Sequence, residues 1–355
     1  MVRAERSRNL TLMVLRWGIL AAGSIARVFA KDLAIVNPTR NAHRITSVAS
    51  RDLVRAAQFA SDFDIPYSYG SYSEVLDSDE VDIVYVANVQ SAHHDVVLSA
   101  LHAGKHVLCE KPLALNLREV DEMFALARAR NLFLMEAMWT RFLPHIREIL
   151  KLIDEGAIGT PRFVIADHGQ WVYRKKDHRL LDPDQGGGAL LDLGIYPITL
   201  AHLILGVPDE IKASASFTDR GVDSEVSMAL HYSGGRSATL HTTIESVTAT
   251  RATIAGDDGR IDIDRSFYAP AGFTLHRHEG KELRYENPLK IPGYVGLGEQ
   301  LREVARAIAA GETQSPLRTH KDTREVMEIM ERIRVEIGLS YPSEIRNAND
   351  PGRIS

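Results

Sequence analysis

A lysine that follows an apolar strand, and an aspartate and tyrosine four residues apart, are the groups in this chain best suited to moving a proton. Val107-Leu108-Cys109-Glu110-Lys111-Pro112 runs from a strand straight into two charges and a proline. In a parallel sheet, ligands lie beyond the carboxyl ends of the strands, so Lys111 is expected to face a crevice. The alternative is a solvated Glu110–Lys111 pair in a loop. Pro112 fixes the chain direction, and the bond before it is a candidate for the cis form. Further on, Gly186-Gly187-Gly188 opens a helix in which Asp192 and Tyr196 share one face. Pro197 is expected to kink that helix just after the pair. Among Leu190, Leu191, Leu193 and Ile195, a buried Asp–Tyr pair needs polar partners. Either the two satisfy each other structurally or they exchange a proton with a substrate. A free phenol titrates near pH ~10, and lowering it by three units needs about 4 kcal/mol. A buried ammonium within hydrogen-bond reach supplies much of that, which gives Lys111 a role beside Tyr196. Such a phenol is a base for hydroxyl oxidation and an acid for carbonyl reduction.

A second constellation lies near the N-terminus. Gly18-Ile19-Leu20-Ala21-Ala22-Gly23-Ser24-Ile25-Ala26 sits where a first strand meets a first helix. A dinucleotide fingerprint places G-x-G-x-x-G/A there, so that backbone and helix N-terminus meet a pyrophosphate. Ala21 takes the first glycine position, Gly23 the second and Ala26 the third; Ser24 and Ile25 complete the turn. The alternative is a tight strand-to-helix turn of another α/β protein. At the end of the second strand a carboxylate would grip a ribose 2′-hydroxyl. Ser50-Arg51-Asp52 stands there instead, and a hydroxyl with a guanidinium suits a 2′-phosphate. The expectation is NADP rather than NAD, with Asp52 as the next helix's N-cap.

The elements that must position these groups alternate over the first 140 residues. Strands are expected at 15–20, 45–49, 81–87, 106–109 and 132–138, with helices at 24–35, 53–63, 94–103 and 117–130. This rhythm predicts an α/β fold with a doubly wound parallel Rossmann sheet. After Trp139 the pattern changes. A helix at 143–154 is followed by strands at 161–166, 210–217, 226–232, 237–245, 248–255, 260–263 and 273–277, and helices at 298–310 and 320–337. Most of these strands alternate apolar and polar residues, which predicts a C-terminal α+β domain with an open, mostly antiparallel sheet. The division expected is a flexible polar tail at 1–12, a dinucleotide-binding domain at 13–140 and a substrate-binding and oligomerisation domain at 141–355. Met13 is a candidate start.

The 355 residues are 45% apolar and 25% charged with a net charge of −5, which describes a globular protein without a nucleic-acid footprint. A single cysteine, Cys109, excludes an intramolecular disulfide framework. No apolar run approaches the ~20 residues of a membrane helix, so no membrane partner and a cytoplasmic location are expected. His93, His94, His102 and His106 lack metal-ligand spacing, and no metal is expected. Trp139, Arg141 and Phe142 follow a strand end and are candidates for a substrate pocket or a domain contact. Trp171 and Tyr173 are further candidates, and Arg174-Lys175-Lys176 reads as a solvated loop.

Together, Gly18–Ala26, Ala87–His93, Ala103–Pro112 and Gly186–Tyr196 resemble the glucose–fructose oxidoreductase / inositol dehydrogenase (Gfo/Idh/MocA) family. Met135-Glu136-Ala137-Met138-Trp139-Thr140-Arg141-Phe142, with Gly194-Ile195-Tyr196, is similar to its branch of dihydrodiol and D-xylose dehydrogenases. The resemblance covers about residues 13–340. It implies reversible hydride transfer between NADP and a sugar or cyclic polyol, and a homodimer or homotetramer formed through the C-terminal sheet. On its motifs, Lys111 falls on the catalytic lysine, Tyr196 on the acid/base position and Asp192 on the neighbouring aspartate. Asn88, Gln90, His93, Glu110 and Lys111 join Ala21, Gly23, Ser24, Ile25, Ala26, Ser50 and Arg51 as cofactor contacts. Val89 and Gln90 stand where many members have Pro-Asn. Trp139, Arg141, His168, Asp192 and Tyr196 are the substrate contacts implied. His168 replaces a phenylalanine of the aromatic-diol members, which favours a polar sugar. A reductase of a sugar ketone or dicarbonyl, and a non-catalytic dinucleotide sensor, are the competing readings; a sensor has no use for Lys111 and Tyr196.

Overall fold

A computed structural model describes residues 14–37, 42–172, 177–342 and 344. The tail expected at 1–12, the candidate start Met13, Tyr173 and the Arg174-Lys175-Lys176 loop lie outside these residues. The chain begins with β1 (Leu15–Leu20), α1 (Ser24–Val36), β2 (His43–Ala49), α2 (Leu53–Phe63), β3 (Tyr67–Tyr69), α3 (Tyr72–Leu76) and β4 (Ile83–Val86). There follow α4 (His93–His102), β5 (His106–Cys109), α5 (Leu117–Ala129) and β6 (Leu134–Glu136). These strands form a parallel six-stranded sheet in the order β3-β2-β1-β4-β5-β6. All four residues of β4 are buried, as expected of a central strand covered on both faces. Phe29 of α1 stacks on Tyr85 of β4 at 4.0 Å and meets Trp17 of β1 edge-on at 5.3 Å. Gly18 lets α3 lie close, because a Cβ there would stand 2.5 Å from a Val75 methyl. The brief β3 and α3 are too short to show a period and were not legible in the sequence.

The second part contains α6 (Pro144–Asp154), β7 (Pro161–Gly169), α7 (Ile195–Leu205), β8 (Glu210–Phe217), β9 (Asp223–Tyr232) and β10 (Arg236–Thr243). It continues with β11 (Ala252–Gly256), β12 (Gly259–Ile263), β13 (Phe273–Arg277), β14 (Leu283–Tyr285), α8 (Gly298–Ala309) and α9 (His320–Ile337). Its eight-stranded sheet runs β14-β13-β12-β11-β7-β10-β9-β8. All pairs are antiparallel except β7 with β10. The strand expected from 248 begins only at Ala252. Thr250 is left-handed at φ 52°, and its N–H donates to Asp167 Oδ2 at 2.7 Å instead of to a ladder. The stretch Pro183–Leu205 is long and apolar enough by itself to cross a membrane, contrary to the sequence reading. In the fold 89% of its apolar window is buried, as in a core helix.

The end of the chain returns to the first sheet. Helix α8 packs on α1, and α9 on α5 as well as on α7 and β8. Asp32 of α1 accepts the N–H groups of Val295, Gly296 and Leu297 at 2.7–3.1 Å. Arg318, ahead of α9, donates to Glu136 of β6 at 2.5 Å with both side chains out of solvent. These contacts tie the second part of the chain to the first, and the carboxyl ends of β1, β4 and β5 open on a space that residues of both parts line.

Candidate active site

A cleft of about 780 Å³ lies over these strand ends and is lined from both parts of the chain. At one end Ala21, Gly23, Ser24 and Ile25 form its wall. Ala21 holds φ 90°, the left-handed conformation for which glycine is usual at that position. A Cβ on Gly23 would meet nothing within 4 Å, so the turn leaves an open cradle at the N-terminus of α1. Ala26 does not line the cleft. It is fully buried, where a small third residue lets α1 lie close to the sheet, so its expected cofactor contact is corrected to packing.

Ser50 and Arg51 line the same end, joined by Arg55 and Tyr72. The Asp52 carboxylate is occupied as N-cap by the N–H groups of Val54 and Arg55, at 2.9 and 3.2 Å. Arg55 lies in the first turn of α2, next to the N-cap Asp52, and that closeness to Arg51 is the signal that could have found it.

In the middle, Asn88, Val89, Gln90 and His93 face the cleft. The Gln90 amide donates to the Gly186 carbonyl and ties this loop to the glycine run. The His93 ring lies between the Pro112 carbonyl at 2.9 Å and the Asn88 carbonyl at 3.3 Å. Burial drives its pKa down to about 4, so it is neutral at pH 7.

At the far end, Glu110 accepts the Tyr85 hydroxyl at 2.5 Å, and burial raises its pKa. The Lys111–Pro112 peptide is cis. Lys111 Nζ donates to the Asp192 carbonyl at 2.6 Å and to Asp192 Oδ1 at 3.0 Å. The backbone explains why that carbonyl is available. Leu190–Gly194 forms a π-helical turn ahead of α7, and in that register the Asp192 carbonyl would accept the N–H of residue 197, which is a proline and has none. The helix is thus irregular before Pro197 rather than kinked after it, and α7 continues to Leu205.

Asp192 Oδ1 also receives Arg179 Nη2 at 2.8 Å. Burial works against ionisation of Asp192, but the charges of Lys111 and Arg179 outweigh it and hold the carboxyl well below its usual range. Tyr196 titrates well above 10, first because it is buried and then because Glu110 and Asp192 are near. The expected bond between Lys111 and the phenol is corrected. The ammonium is drawn to Asp192 and lies 4.9 Å from the centre of the tyrosine ring instead. Asp192 and Tyr196 do not pair with each other, so the self-satisfied structural pair is not what forms.

His168 lines the cleft, stacks on Tyr268 at 4.3 Å and stands 5.3 Å from the Tyr196 ring. Burial, with Lys111 adding, brings its pKa down to about 4. Trp139 does not line the cleft; it stands behind Tyr196. Arg141 does not line the cleft, so its expected substrate contact is not formed, and Phe142 is buried in the core. Trp171 is half-exposed away from the cleft wall. Arg179, Gln170 and Tyr268 were missed by sequence reading, because nothing local links residues 170, 179 and 268 to a site at 111 and 192–196. Among the described residues no group of three His, Cys, Asp or Glu side chains is arranged for a metal.

Residues 15–138 match the oxidoreductase family with an NAD-binding Rossmann fold, and residues 146–262 match the GFO/IDH/MocA C-terminal domain. The chain is 35% identical over 337 residues to the trans-1,2-dihydrobenzene-1,2-diol dehydrogenase of Xenopus tropicalis, spanning 93% of this chain and 100% of that one. The Mus musculus enzyme of the same name is 36% identical over 341 residues, 94% of this chain and 100% of its own. A 3-ketoreductase from Actinomadura kijaniata, solved with NADP and TDP-benzene, superposes with a TM-score of 0.81 at 28% identity, covering 91% of this chain and 98% of its own. An aldose–aldose oxidoreductase from Caulobacter crescentus, solved with glycerol, has the same TM-score at 26% identity, covering 91% and 97%.

Proposed function

The chain belongs to the Gfo/Idh/MocA oxidoreductase family, and on that premise we propose that it is an NADP-dependent dehydrogenase of a sugar or cyclic polyol. One observation carries the reading: Lys111, Asp192 and Tyr196 converge in the cleft whose other end is the open cradle at Gly23. The cradle fits a pyrophosphate, with room above Gly23 and the N-terminus of α1 behind it. Ser50, Arg51 and Arg55 fit a 2′-phosphate, which favours NADP. When bound, the nicotinamide takes up or returns the hydride.

The chain's own residues handle the proton. Tyr196 stands protonated and donates to a carbonyl oxygen in reduction; in oxidation its phenolate takes the hydroxyl proton. Asp192, ionised between two cations, fixes the ammonium of Lys111 over the tyrosine ring. There the positive charge is close to the reacting oxygen and stabilises negative charge developing on it. His168 and Gln170, 3.1 Å apart on the cleft wall, offer polar atoms to the hydroxyls of a sugar. Reduction of a sugar ketone is the second reading, favoured by the protonated state of Tyr196. A symmetric dimer or tetramer would form across the open face of the second sheet, where Ile165 is exposed; sedimentation as a monomer at micromolar concentration contradicts that.

The test is turnover. Protein is incubated with NADP⁺ and D-xylose, D-glucose, inositols or trans-dihydrodiols, and with NADPH and keto sugars, while the reduced cofactor is followed by absorbance. The expected result is a higher kcat/KM for an aldopyranose than for a benzene dihydrodiol. The opposite order removes the sugar assignment, and a faster keto-sugar reaction selects the second reading.

A further inference from the structure

The Tyr196 hydroxyl receives its hydrogen bond from an unexpected place. Trp139 Nε1 lies 3.3 Å from the phenol oxygen. Lys111 spends its hydrogen bonds on Asp192 and meets only the ring of Tyr196. An indole N–H is a donor only, so the phenol oxygen must accept. Its own hydrogen is then left to point elsewhere, and the cleft is the side that Tyr196 lines.

Trp139 is held firmly in this role. It is 4% exposed and packs edge-on against Tyr196 and Tyr268, with ring centroids 6.3 and 6.0 Å away. The short 3₁₀ turn Trp139–Phe142 is pinned to the Tyr268 strand connection by Thr140, whose hydroxyl donates to the Tyr268 carbonyl at 2.6 Å. The electrostatic setting agrees. Burial, Glu110, Asp192 and Tyr268 all disfavour a phenolate at Tyr196, whereas the Trp139 N–H favours it.

We propose that Trp139 is a positioning residue whose indole N–H holds the Tyr196 oxygen, directs the phenol hydrogen into the cleft and stabilises the phenolate left behind. This rests on the acid–base reading of Tyr196. In reduction, a bound nicotinamide would supply the hydride for the new C–H bond. The Tyr196 O–H bond breaks, its proton goes to the substrate oxygen, and the phenolate keeps the electron pair against the Trp139 N–H. Oxidation reverses each movement.

Two measurements test it. The chain has three tryptophans, so its ¹H–¹⁵N spectrum carries three indole signals. Trp139→Phe removes one, and Tyr196→Phe is expected to move that same signal; an unmoved signal overturns the proposal. In turnover with the substrate that reacts best, Trp139→Phe is expected to move the acid limb of kcat for hydroxyl oxidation upward by about one pH unit, the loss of one hydrogen bond to a charged oxygen. KM for NADP⁺ stays within about twofold. In the Tyr196→Phe background the same substitution shifts nothing further. An unshifted limb with a Tyr196→Phe variant that is itself crippled overturns this proposal alone. A Tyr196→Phe variant within about threefold of wild type overturns the acid–base reading and this proposal with it. Should Trp139→Phe fail to fold, benzothienylalanine at position 139 keeps the ring shape and removes the N–H; the same limb shift is expected.

Discussion

At the cofactor end, the cleft is made of residues close together in sequence: Ala21 to Ile25 in one turn, and Ser50, Arg51 and Arg55 around one strand end. At the chemical end, Lys111, His168, Arg179, Asp192, Tyr196 and Tyr268 come from segments spread over more than 150 positions. The first end is open, and Arg51 is exposed. The second is more enclosed, with the Lys111 and Asp192 side chains 11% and 10% exposed, and its charges occur in contact with one another. Local chain geometry suffices for the proposed phosphate site, because such a site asks only for backbone N–H groups and a flanking cation. Proton transfer needs groups whose pKa values are pushed apart, and only burial among distant partners does that.

The largest effect is expected where the charges are coupled. Tyr196→Phe keeps the ring and removes the hydroxyl, and should lower kcat by about 10²–10⁴-fold with little change in NADP affinity. Lys111→Met should cost at least as much. The double variant should fall far short of the product of the two losses, since the residues act as a unit. Fully multiplicative losses would mean that the two ends of the cleft are organised alike.

The next test probes how the chemical end is held from behind. The π-helical turn has no local N-cap, as Ala189 precedes it. Asp223 of β9 supplies one from a distance, accepting Leu190 N–H at 2.6 Å while its other oxygen fills the space a Cβ on Gly188 would need. Burial raises the Asp223 pKa to about 7. Its native value therefore lies above the ~3.9 of an unfolded chain. Between about pH 4 and 7 the native state binds the extra proton, so this group's contribution to stability is full at low pH and lost as pH rises through 7. The total is up to about 4 kcal/mol. Asp223→Asn should flatten that part of a denaturant-derived stability profile; an unchanged slope would show that Asp223 is ionised throughout.

At the cofactor end the effects should be smaller and independent. Arg51→Ala is expected to weaken NADP binding by about 1.5–3 kcal/mol and to change NAD binding little. Titration of both cofactors checks this, and equal losses would remove the 2′-phosphate role. The smallest effect is expected at Ala21, left-handed at φ 90°. Ala21→Gly should stabilise the fold by about 1 kcal/mol, read as a higher Tm; a drop in Tm would show that the turn carries no strain.

Much of this was legible in the sequence because it depends on short-range pattern. The spans 15–20, 53–63, 106–109, 210–217, 273–277 and 320–337 appear in the structure with the bounds expected of them. Period-two and period-3.6 burial is set by which face of an element meets the core, and apolar spacing records that directly. Lys111, Asp192 and Tyr196 were visible for a related reason: strand ends and helix faces fix where a side chain starts. What they touch was not visible. The sequence suggested an ammonium on the phenol, whereas the fold gives the ammonium to Asp192, the phenol oxygen to Trp139 and a second cation, Arg179, to the carboxylate. Arg141 was read toward the substrate and is absent from the cleft wall. Such partnerships are decided by desolvation and by the angle at which distant segments meet, and neither is encoded within a few residues of the groups concerned.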